Sequence, residues 1–408
     1  MKALFYDFED VFTGDGSFLT EKAAECAERL GISGDAWAGY LAYRLLFSEN
    51  VFSLAAERGR ADGTLTELVR TDAEKIIGLF GERFFTESGL NEGLKDYKPG
   101  GDLKPAGERV MRLARRLVSA AKKAAHGSRV RQAAEEFTAA LKEEYAAGGA
   151  GELGLSDAFR LVSDGTADGY RLTAVTNFSP KSFDSIVGCD EQKAALIENT
   201  RALIEGEGCN NALLYGNAGT GKSTSVKALI PYFAGRKLKI IEIYRHQYQT
   251  VARLMSDIEN RGFSFILFLD DLSFEENETE YKYFKAILDG GLGARPRNTA
   301  VYATSNRLHI IRESFSDRSE IGRGDIHGSD TVEEKLSLSA RFGLSLFYPS
   351  PDQAEYLNIV AGLAAAEGIN MPADRLRLLA LRWATAHNRK SGRTAEQFVR
   401  SLIVGKGV

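Results

Sequence analysis

The chain has 408 residues, which is enough for two or three domains that each bury their own core. With 44% hydrophobic and 26% charged residues, the composition is that of an ordinary globular protein and excludes a disordered chain. The formal net charge of -4 predicts no general attraction to nucleic acids or anionic membranes, so any basic binding surface must be local.

The cysteines and the N-terminus indicate the compartment. Cys26, Cys189 and Cys209 are far apart and lack C-x-x-C spacing, which argues against a disulfide framework and against a zinc site. The N-terminus "MKALFYDFEDVF" carries acids where a secretory signal must be apolar, and no apolar run approaches the roughly 18 residues of a membrane span. We therefore expect a soluble, cytoplasmic protein with no membrane partner.

Residues 1–178 are predicted to form a helical N-terminal domain with a linker. The segments "FLTEKAAECAERLG" and "TELVRTDAEKIIGLFGERFF" repeat apolar residues at three- and four-residue steps, and a helical pattern resumes from Glu108 to about Ala147. The first half of that later helix is basic, which is typical either of a solvated face balanced by acidic neighbours or of a nucleic-acid contact. The segment "YRLTAVTNFSP" reads as an extended linker, so we place the boundary near Phe178.

Residues 179–350 are predicted to form an α/β domain with a parallel five-stranded sheet and helices on both faces. The strand-length apolar runs are "NALLYG", "LKIIEIY", "FSFILFLDD", "TAVYATSN" and "LSLFYP", and helical segments alternate with them. Continuous apolarity, as in "FILFL", indicates strands that are covered on both faces. Residues 351–408 return to a helical pattern and are predicted to form a small lid subdomain.

The segment "GNAGTGKST" after the first of these strands matches the phosphate-binding pattern G-x-x-x-x-G-K-[ST], and a helical segment follows it as the motif requires. Glycines let backbone N–H groups surround the phosphates of ATP, the lysine reaches the β- and γ-phosphates, and the Ser223 hydroxyl binds Mg²⁺. The predicted nucleotide-binding residues of this segment are Gly216, Asn217, Ala218, Gly219, Thr220, Gly221, Lys222, Ser223 and Thr224.

Two acids follow the apolar strand "FILFL". Asp270 ends the strand, where a carboxylate reaches a metal ion beside Ser223, and Asp271 stands where a residue that polarises the attacking water is expected. The alternative is that two acids after a strand simply cap the next helix. Together with the upstream glycine-rich loop, the pair predicts a magnesium-dependent nucleotide site.

In these motifs the sequence resembles the AAA+ ATPases. In "SFDSIVGCDEQKAALIENT", Val187 and Gly188 look like the pair that borders the adenine, and "YATSN" looks like sensor 1, with Asn306 as the candidate and Thr304 as the alternative. The segment "SARFG" places Arg341 where the family carries an arginine finger that acts on a neighbouring subunit; Arg318 and Arg323 are rivals for that role. In "SGRTA", Arg393 resembles sensor 2, with Arg389 and Lys390 as alternatives.

The resemblance is greatest to an uncharacterised bacterial family of ATP-binding proteins that is defined by a domain of unknown function. It implies ATP or ADP and Mg²⁺ as ligands, a homo-oligomer, and an ATPase that acts as a switch or remodelling motor on a protein or DNA partner. Most AAA+ proteins have Asp-Glu where this chain has Asp270 and Asp271. The shorter acid also fits a DNA-associated loader that uses ATP binding with little hydrolysis. Arg245, His246 and Tyr248 are candidate contacts to a polymer, although the favoured interpretation of this segment is a helix that packs on the sheet and exposes its polar face.

Overall fold

The computed structural model describes residues 5, 6, 8, 16–86, 94–124, 129–166, 169–175, 181–272, 284, 285, 287, 288, 295–306 and 340–405. The chain divides into two compact units. The first comprises Met1–Asp157, Leu172–Thr176 and Asn260–Gly262, and the second comprises Ala158–Arg171, Asn177–Glu259 and Phe263–Val408. None of the described helices is both long and apolar enough to cross a lipid bilayer.

The first unit is helical, as predicted. Its described helices are α1 (Gly16–Leu30), α2 (Ala36–Leu46), α3 (Val51–Glu57), α4 (Thr64–Thr86), α5 (Pro105–Ala124) and α6 (Val130–Gly148), followed by a 3₁₀ turn (Gly151–Gly154). Two of these helices begin at residues that satisfy the free N–H groups of a first turn. Asp35 accepts the N–H of Ala38 at 2.9 Å, and Asn50 and Ser53 form a reciprocal capping box at the start of α3.

The basic half of the helix α5 is largely engaged within the first unit. The Arg109 side chain is only 11% exposed. Its guanidinium donates to the main-chain oxygens of Glu144 (2.8 Å), Gly149 (3.0 Å) and Gly154 (2.8 Å), so that it satisfies carbonyls at the end of α6 and in the 3₁₀ turn that follows. Arg112 pairs with the Glu144 carboxylate at 2.8 Å. For these residues the contacts favour charge balance by acidic neighbours over a nucleic-acid surface.

The second unit is built on a seven-stranded sheet, whose strands lie in the order β2-β1-β4-β5-β6-β3-β7. The strands are β1 (Ala158–Ser163), β2 (Tyr170–Ala174), β3 (Ala212–Gly216), β4 (Leu238–Glu242), β5 (Ser264–Leu269), β6 (Thr299–Ser305) and β7 (Leu344–Tyr348). Adjacent strands from β1 to β7 pair in parallel. All residues of β5 and β6 are buried, as expected of strands that are covered on both faces.

Helices connect and cover these strands. In chain order, the helices between β2 and β5 are α7 (Asp190–Glu205), α8 (Lys222–Tyr232) and α9 (Val251–Glu259). Two 3₁₀ turns lie in the same part of the chain, at Phe183–Ser185 and Arg245–Thr250. After β7, three further helices pack around a core of their own: α10 (Gln353–Ala366), α11 (Ala373–Ala386) and α12 (Gly392–Ile403). The predicted α/β class, with a helical N-terminal region and C-terminal helices, is confirmed.

The predicted number of strands was wrong, because the sheet has seven strands rather than five. All five predicted runs form strands, and the two additional strands, β1 and β2, precede them in the chain. In β2 half-buried and exposed residues alternate, with no fully buried position, so this edge strand lacks the apolar run used to recognise the others. The segment interpreted as a linker therefore contains β2. The domain boundaries at 178/179 and 350/351 remain predictions.

The contacts of Arg109 lead to a prediction about stability. We expect Arg109→Met to lower the free energy of unfolding of the first unit by about 3 kcal/mol, because several buried carbonyl groups lose a charged donor at once. The matched control is Arg115→Met, which changes an exposed arginine of the same helix and should shift the free energy by less than about 0.5 kcal/mol. Urea denaturation followed by circular dichroism measures both; equal midpoints for the two variants would contradict the role given to Arg109.

Candidate phosphate-binding site

The sheet order brings three chemically distinct segments to one edge. Strands β5, β6 and β3 are neighbours and run in parallel, so their carboxyl ends lie side by side. The phosphate loop, residues 216–221, follows β3; the acid pair of Asp270 and Asp271 follows β5; Asn306 follows β6. Ligands of open parallel α/β sheets bind at this carboxyl edge.

The glycines of the phosphate loop are required by its backbone. Gly216 has φ +138°, and a Cβ there would lie 2.1 Å from the main-chain oxygen of Tyr348. Gly221 has φ +97° and immediately precedes α8. Gly219 has φ +82°, and a Cβ there would lie 2.9 Å from the Ser391 hydroxyl. No L side chain suits these positions, and the loop that results leads directly into the positive end of a helix.

Lys222 is the first residue of α8, and it is only 6% exposed. Its ammonium donates to the main-chain oxygens of Gly216 at 2.7 Å and Asn217 at 2.8 Å, and it reaches the Asn306 amide oxygen at 3.4 Å. Burial lowers the pKa of this ammonium from its ordinary value, and the carboxylates of Asp271 and Asp270 act in the opposite direction. The lysine is therefore held inside the loop by the oxygens that a phosphate group would replace.

The acid pair is linked by hydrogen bonds to the neighbouring strand β6, to Asn306 after it, and to the start of α8. The Asp270 carboxylate accepts from the Ser223 hydroxyl at 2.5 Å and from the Thr304 hydroxyl at 2.6 Å. The Asp271 N–H donates to the Thr304 hydroxyl oxygen at 2.9 Å, and the Asn306 amide donates to the Asp271 carboxylate at 2.7 Å. Five residues from three segments thus form one continuous polar network beside Lys222.

These groups fit a magnesium ion that also binds phosphate. Ser223 and Asp270 offer one hydroxyl and one carboxylate, which are oxygen ligands that suit Mg²⁺, and the contact between them shows that both reach the same point. Within the described residues no group of three His, Cys, Asp or Glu side chains could hold a metal by itself. Mg²⁺ commonly takes only one or two protein ligands and completes its shell with water and phosphate oxygens.

A cavity of about 260 Å³ adjoins the phosphate loop. One side is apolar and is formed by Ile186 and Val187 together with Ile359 and Leu363 of α10. The other side is polar. Residues of the loop and of the start of α8 form one part of it: Gly219, Thr220, Gly221, Lys222, Ser223 and Thr224. Charged residues of the C-terminal helices form the rest: Glu355, Arg393 and Glu396. An apolar slot that leads to a phosphate loop matches the shape of a nucleotide, with its flat base and charged tail.

The C-terminal helices contact the phosphate loop directly. The N–H of Gly392, at the start of α12, donates to the main-chain oxygen of Gly219 at 2.9 Å. Arg393 follows and lines the cavity. Lys181, which precedes the 3₁₀ turn at Phe183–Ser185, forms an ion pair with Glu396 of α12, and both line the same cavity.

The structure thus brings most of the predicted site residues together around the loop, the acid pair and the cavity. Val187, Gly188 and Arg393 line the cavity, and Asn306 contacts Lys222 and Asp271. Arg341 lies in the turn before β7 and is not among the residues that line the cavity. Its rivals Arg318 and Arg323 fall outside the described residues.

For Tyr248 the structure agrees with the favoured interpretation, in which this segment packs on the sheet. Tyr248 was grouped with Arg245 and His246 as a possible contact to a polymer, but its side chain is only 5% exposed and its ring packs against Phe284 at 5.5 Å between centroids. Arg245 and His246 are exposed. Tyr244, which the sequence did not single out, is 42% exposed and stacks on His246.

Several residues of the cavity were missed. Lys181 and Glu396 are 215 positions apart, and nothing in the sequence links them. Glu355 had a local signal, because the spacing in "DQAE" predicts the capping box that it forms with Asp352 at the start of α10. Ser391 does not line the cavity but lies against the phosphate loop at Gly219; it had a local signal as well, since its side chain caps α12 just before Gly392.

Comparison with known proteins gives one family and no curated relative. Residues 156–406 match the family described as "Protein of unknown function (DUF815)". No curated protein matches the chain.

Among solved structures, the Holliday junction branch migration motor RuvB of Thermotoga maritima is similar at 18% identity and a TM-score of 0.39, over 55% of this chain and 67% of that one. The FIGL-1 AAA domain in complex with ADP is similar at 18% identity and a TM-score of 0.39, over 56% of this chain and 75% of that one. Likeness at this level says nothing about activity.

The close approach of Gly216 to β7 leads to a second stability prediction. We expect Gly216→Ala to lower the free energy of unfolding by about 3 kcal/mol, because the new Cβ would overlap a main-chain oxygen that cannot move aside without disturbing the strand. The control is Gly206→Ala, which also changes a glycine with positive φ but meets no atom within 4 Å, and which should cost about 1 kcal/mol. Thermal denaturation without nucleotide tests this, and a Gly206 variant as unstable as the Gly216 variant would show that the overlap is unimportant.

Proposed function

Because the chain belongs to the family described as "Protein of unknown function (DUF815)", whose description assigns no activity, we propose from the geometry of its site that it binds ATP with Mg²⁺ and hydrolyses it to ADP and phosphate. The observation that carries the proposal is the 2.5 Å hydrogen bond from Ser223 to Asp270, immediately beside the buried Lys222. The order of these elements along the chain is also the order in the AAA+ ATPases that the sequence resembles.

The loop and Lys222 bind the phosphates of ATP. The main-chain N–H groups of the loop and the start of α8 surround the β- and α-phosphates, and the Lys222 ammonium exchanges its main-chain partners for oxygens of the β- and γ-phosphates. Ser223 and Asp270 hold the magnesium ion, which, when bound, neutralises charge that develops on the phosphate oxygens.

Hydrolysis requires a residue that takes a proton from water and another that orients that water. Asp271 has a carboxylate beside the phosphate loop, and Asn306 donates an amide N–H to it at 2.7 Å. We assign Asp271 the role of general base and Asn306 the role of orienting the attacking water. The water adds to the γ-phosphorus, the bond to the β–γ bridging oxygen breaks, and the proton passes to the Asp271 carboxylate.

The remaining cavity suits the base and ribose. Val187 and Gly188 line the cavity together with Ile359 and Leu363 of α10, which gives an apolar surface against which a planar base can pack. Arg393 of α12 lies near Gly219, where it is suited to sense the γ-phosphate and to link the C-terminal helices to the state of the nucleotide.

We further propose that the protein works as an oligomeric switch or remodelling motor in which Arg341 completes the site of a neighbouring subunit. Arg341 is absent from the residues that line the cavity of its own chain, as expected of a residue that acts across an interface. The engagement of Arg109 and Arg112 with carbonyl and carboxylate oxygens disfavours these two arginines as the DNA contacts of the alternative, a DNA-associated loader.

The first test separates binding from turnover. Lys222→Ala should abolish detectable ATP binding, because its buried ammonium lies within the phosphate loop, bonded to Gly216 and Asn217, whereas Asp271→Asn should keep ATP affinity within about threefold and lower kcat about 10²-fold or more. Calorimetry with Mg²⁺ measures affinity, and phosphate release measures turnover.

The matched control is Lys227→Ala, which removes a lysine of the same helix that does not line the cavity. It should leave ATP affinity within about twofold of the native value. If the native protein and the Lys222 and Asp271 variants release phosphate at one common rate, the activity does not belong to this site and the proposal is wrong.

The second test concerns Arg341. Arg341→Ala alone should lower the hydrolysis rate by about 10³-fold, as for other arginine fingers. Mixing it in equal amounts with Lys222→Ala should restore up to about a quarter of the native rate, because only sites with an intact lysine and a neighbour's intact arginine can work. Phosphate release across a range of protein concentrations measures this, and a mixture no more active than its two components would assign the role to another arginine.

A further inference from the structure

Thr304 is a buried residue of β6 whose hydroxyl group contacts both members of the acid pair. It donates to Asp270 at 2.6 Å and accepts the Asp271 N–H at 2.9 Å. We propose that Thr304 is a positioning residue for hydrolysis: its hydroxyl fixes Asp270 for the metal ion and Asp271 for the attacking water at the same time. This inference rests on the proposed ATPase function.

The direction of both hydrogen bonds follows from the chemistry of the groups. A main-chain N–H can only donate, so the Thr304 oxygen must accept from Asp271. The single hydroxyl proton of Thr304 is then left for the Asp270 carboxylate, which in its charged form can only accept. The same carboxylate oxygen, Oδ1, also accepts from Ser223, so Asp270 is held between β6 and α8 by two hydroxyl donors.

The backbone of Asp271 depends on the same residue. Asp271 has φ +57°, a left-handed conformation that few residues other than glycine adopt, although aspartate is among those that do. The Thr304 hydroxyl takes the N–H of Asp271, and the Thr304 main-chain oxygen takes the N–H of Leu272 at 2.6 Å. Thr304 thus binds the chain on both sides of Asp271, while Asn306 holds the carboxylate.

The side chain of Thr304 is suited to this role by its position. Thr304 is 1% exposed, whereas Asp270 and Asp271 are exposed, so its hydroxyl is a partner fixed by the packed sheet for two acids that face solvent. A β-branched side chain also has few rotamers. Without the hydroxyl, the Asp271 N–H would lose the protein acceptor that fixes it, and the acid pair would lose the contact that its two members share. A displacement of about 1 Å in such a group can cost about 10²-fold in rate.

The experiment compares Thr304→Val, which keeps the shape of the side chain and removes the hydroxyl, with Thr304→Ser, which keeps the hydroxyl. For Thr304→Val we expect kcat to fall about tenfold or more and the Mg²⁺ concentration at half-maximal rate to rise several-fold, while ATP affinity without Mg²⁺ stays within about twofold. Thr304→Ser should keep kcat within about threefold. A purely structural role would instead lower the Mg²⁺-free affinity and kcat together.

A second measurement needs no ligand. Amide hydrogen exchange at Asp271 in the nucleotide-free protein should be faster in Thr304→Val than in the native protein, and it should be near the native rate in Thr304→Ser, because only the valine variant lacks the acceptor. This readout reports the bond from Asp271 to Thr304 whether or not ATP is hydrolysed.

The outcomes are distinct. The inference is overturned if Thr304→Val keeps the native kcat and Mg²⁺ dependence, if the valine and serine variants lose activity equally, or if exchange at Asp271 is the same in all three proteins. Lys222→Ala is assayed alongside: should the native rate equal the rate of that variant, the proposed ATPase function fails. In that case faster exchange in Thr304→Val alone still establishes the bond but removes its role in hydrolysis.

Discussion

The parallel pairing of β5, β6 and β3 is the constraint on which the candidate site depends. Parallel strands all end at the same edge, so the order of these three strands determines which residues meet. The acid pair follows β5, Thr304 and Asn306 end β6, and the phosphate loop follows β3. Residues from distant parts of the sequence therefore lie within hydrogen-bonding distance without any long loop to place them, and the full burial of β5 and β6 makes that placement rigid.

The sequence predicted the parts of the fold that carry strong local signals. Four of the five apolar runs became the central strands β3, β4, β5 and β6, where burial on both faces favours apolar side chains at successive positions. The fifth became the edge strand β7, in which buried and exposed positions alternate. The edge strand β2 escaped recognition because an edge buries little, and its exposed residues make it look like a linker. Within the site, the glycine-rich loop was recognisable from its spacing, since only glycine suits the backbone there.

The contacts that the sequence did not disclose are those between residues far apart in the chain. Lys181 and Glu396 are paired by the packing of α12, which no local pattern records. Thr304 was considered only as an alternative to Asn306, because its double contact with Asp270 and Asp271 depends on how two strands align in register.

The polar network also means that a bound phosphate would exchange with hydrogen-bond partners that Lys222 already has. Lys222 already has oxygen acceptors in the loop, so a phosphate must compete with them.

The hydrogen bond from Gly392 to Gly219 joins the C-terminal helices to the phosphate loop through main-chain atoms alone. Such a bond does not depend on side-chain identity, so sequence drift in the helices can proceed while their attachment to the loop persists. Proline at position 392 is the exception, because it has no N–H to donate. Relatives of this protein are thus free to diversify the outer faces of α10, α11 and α12 for new tasks, provided that this one peptide group keeps its hydrogen.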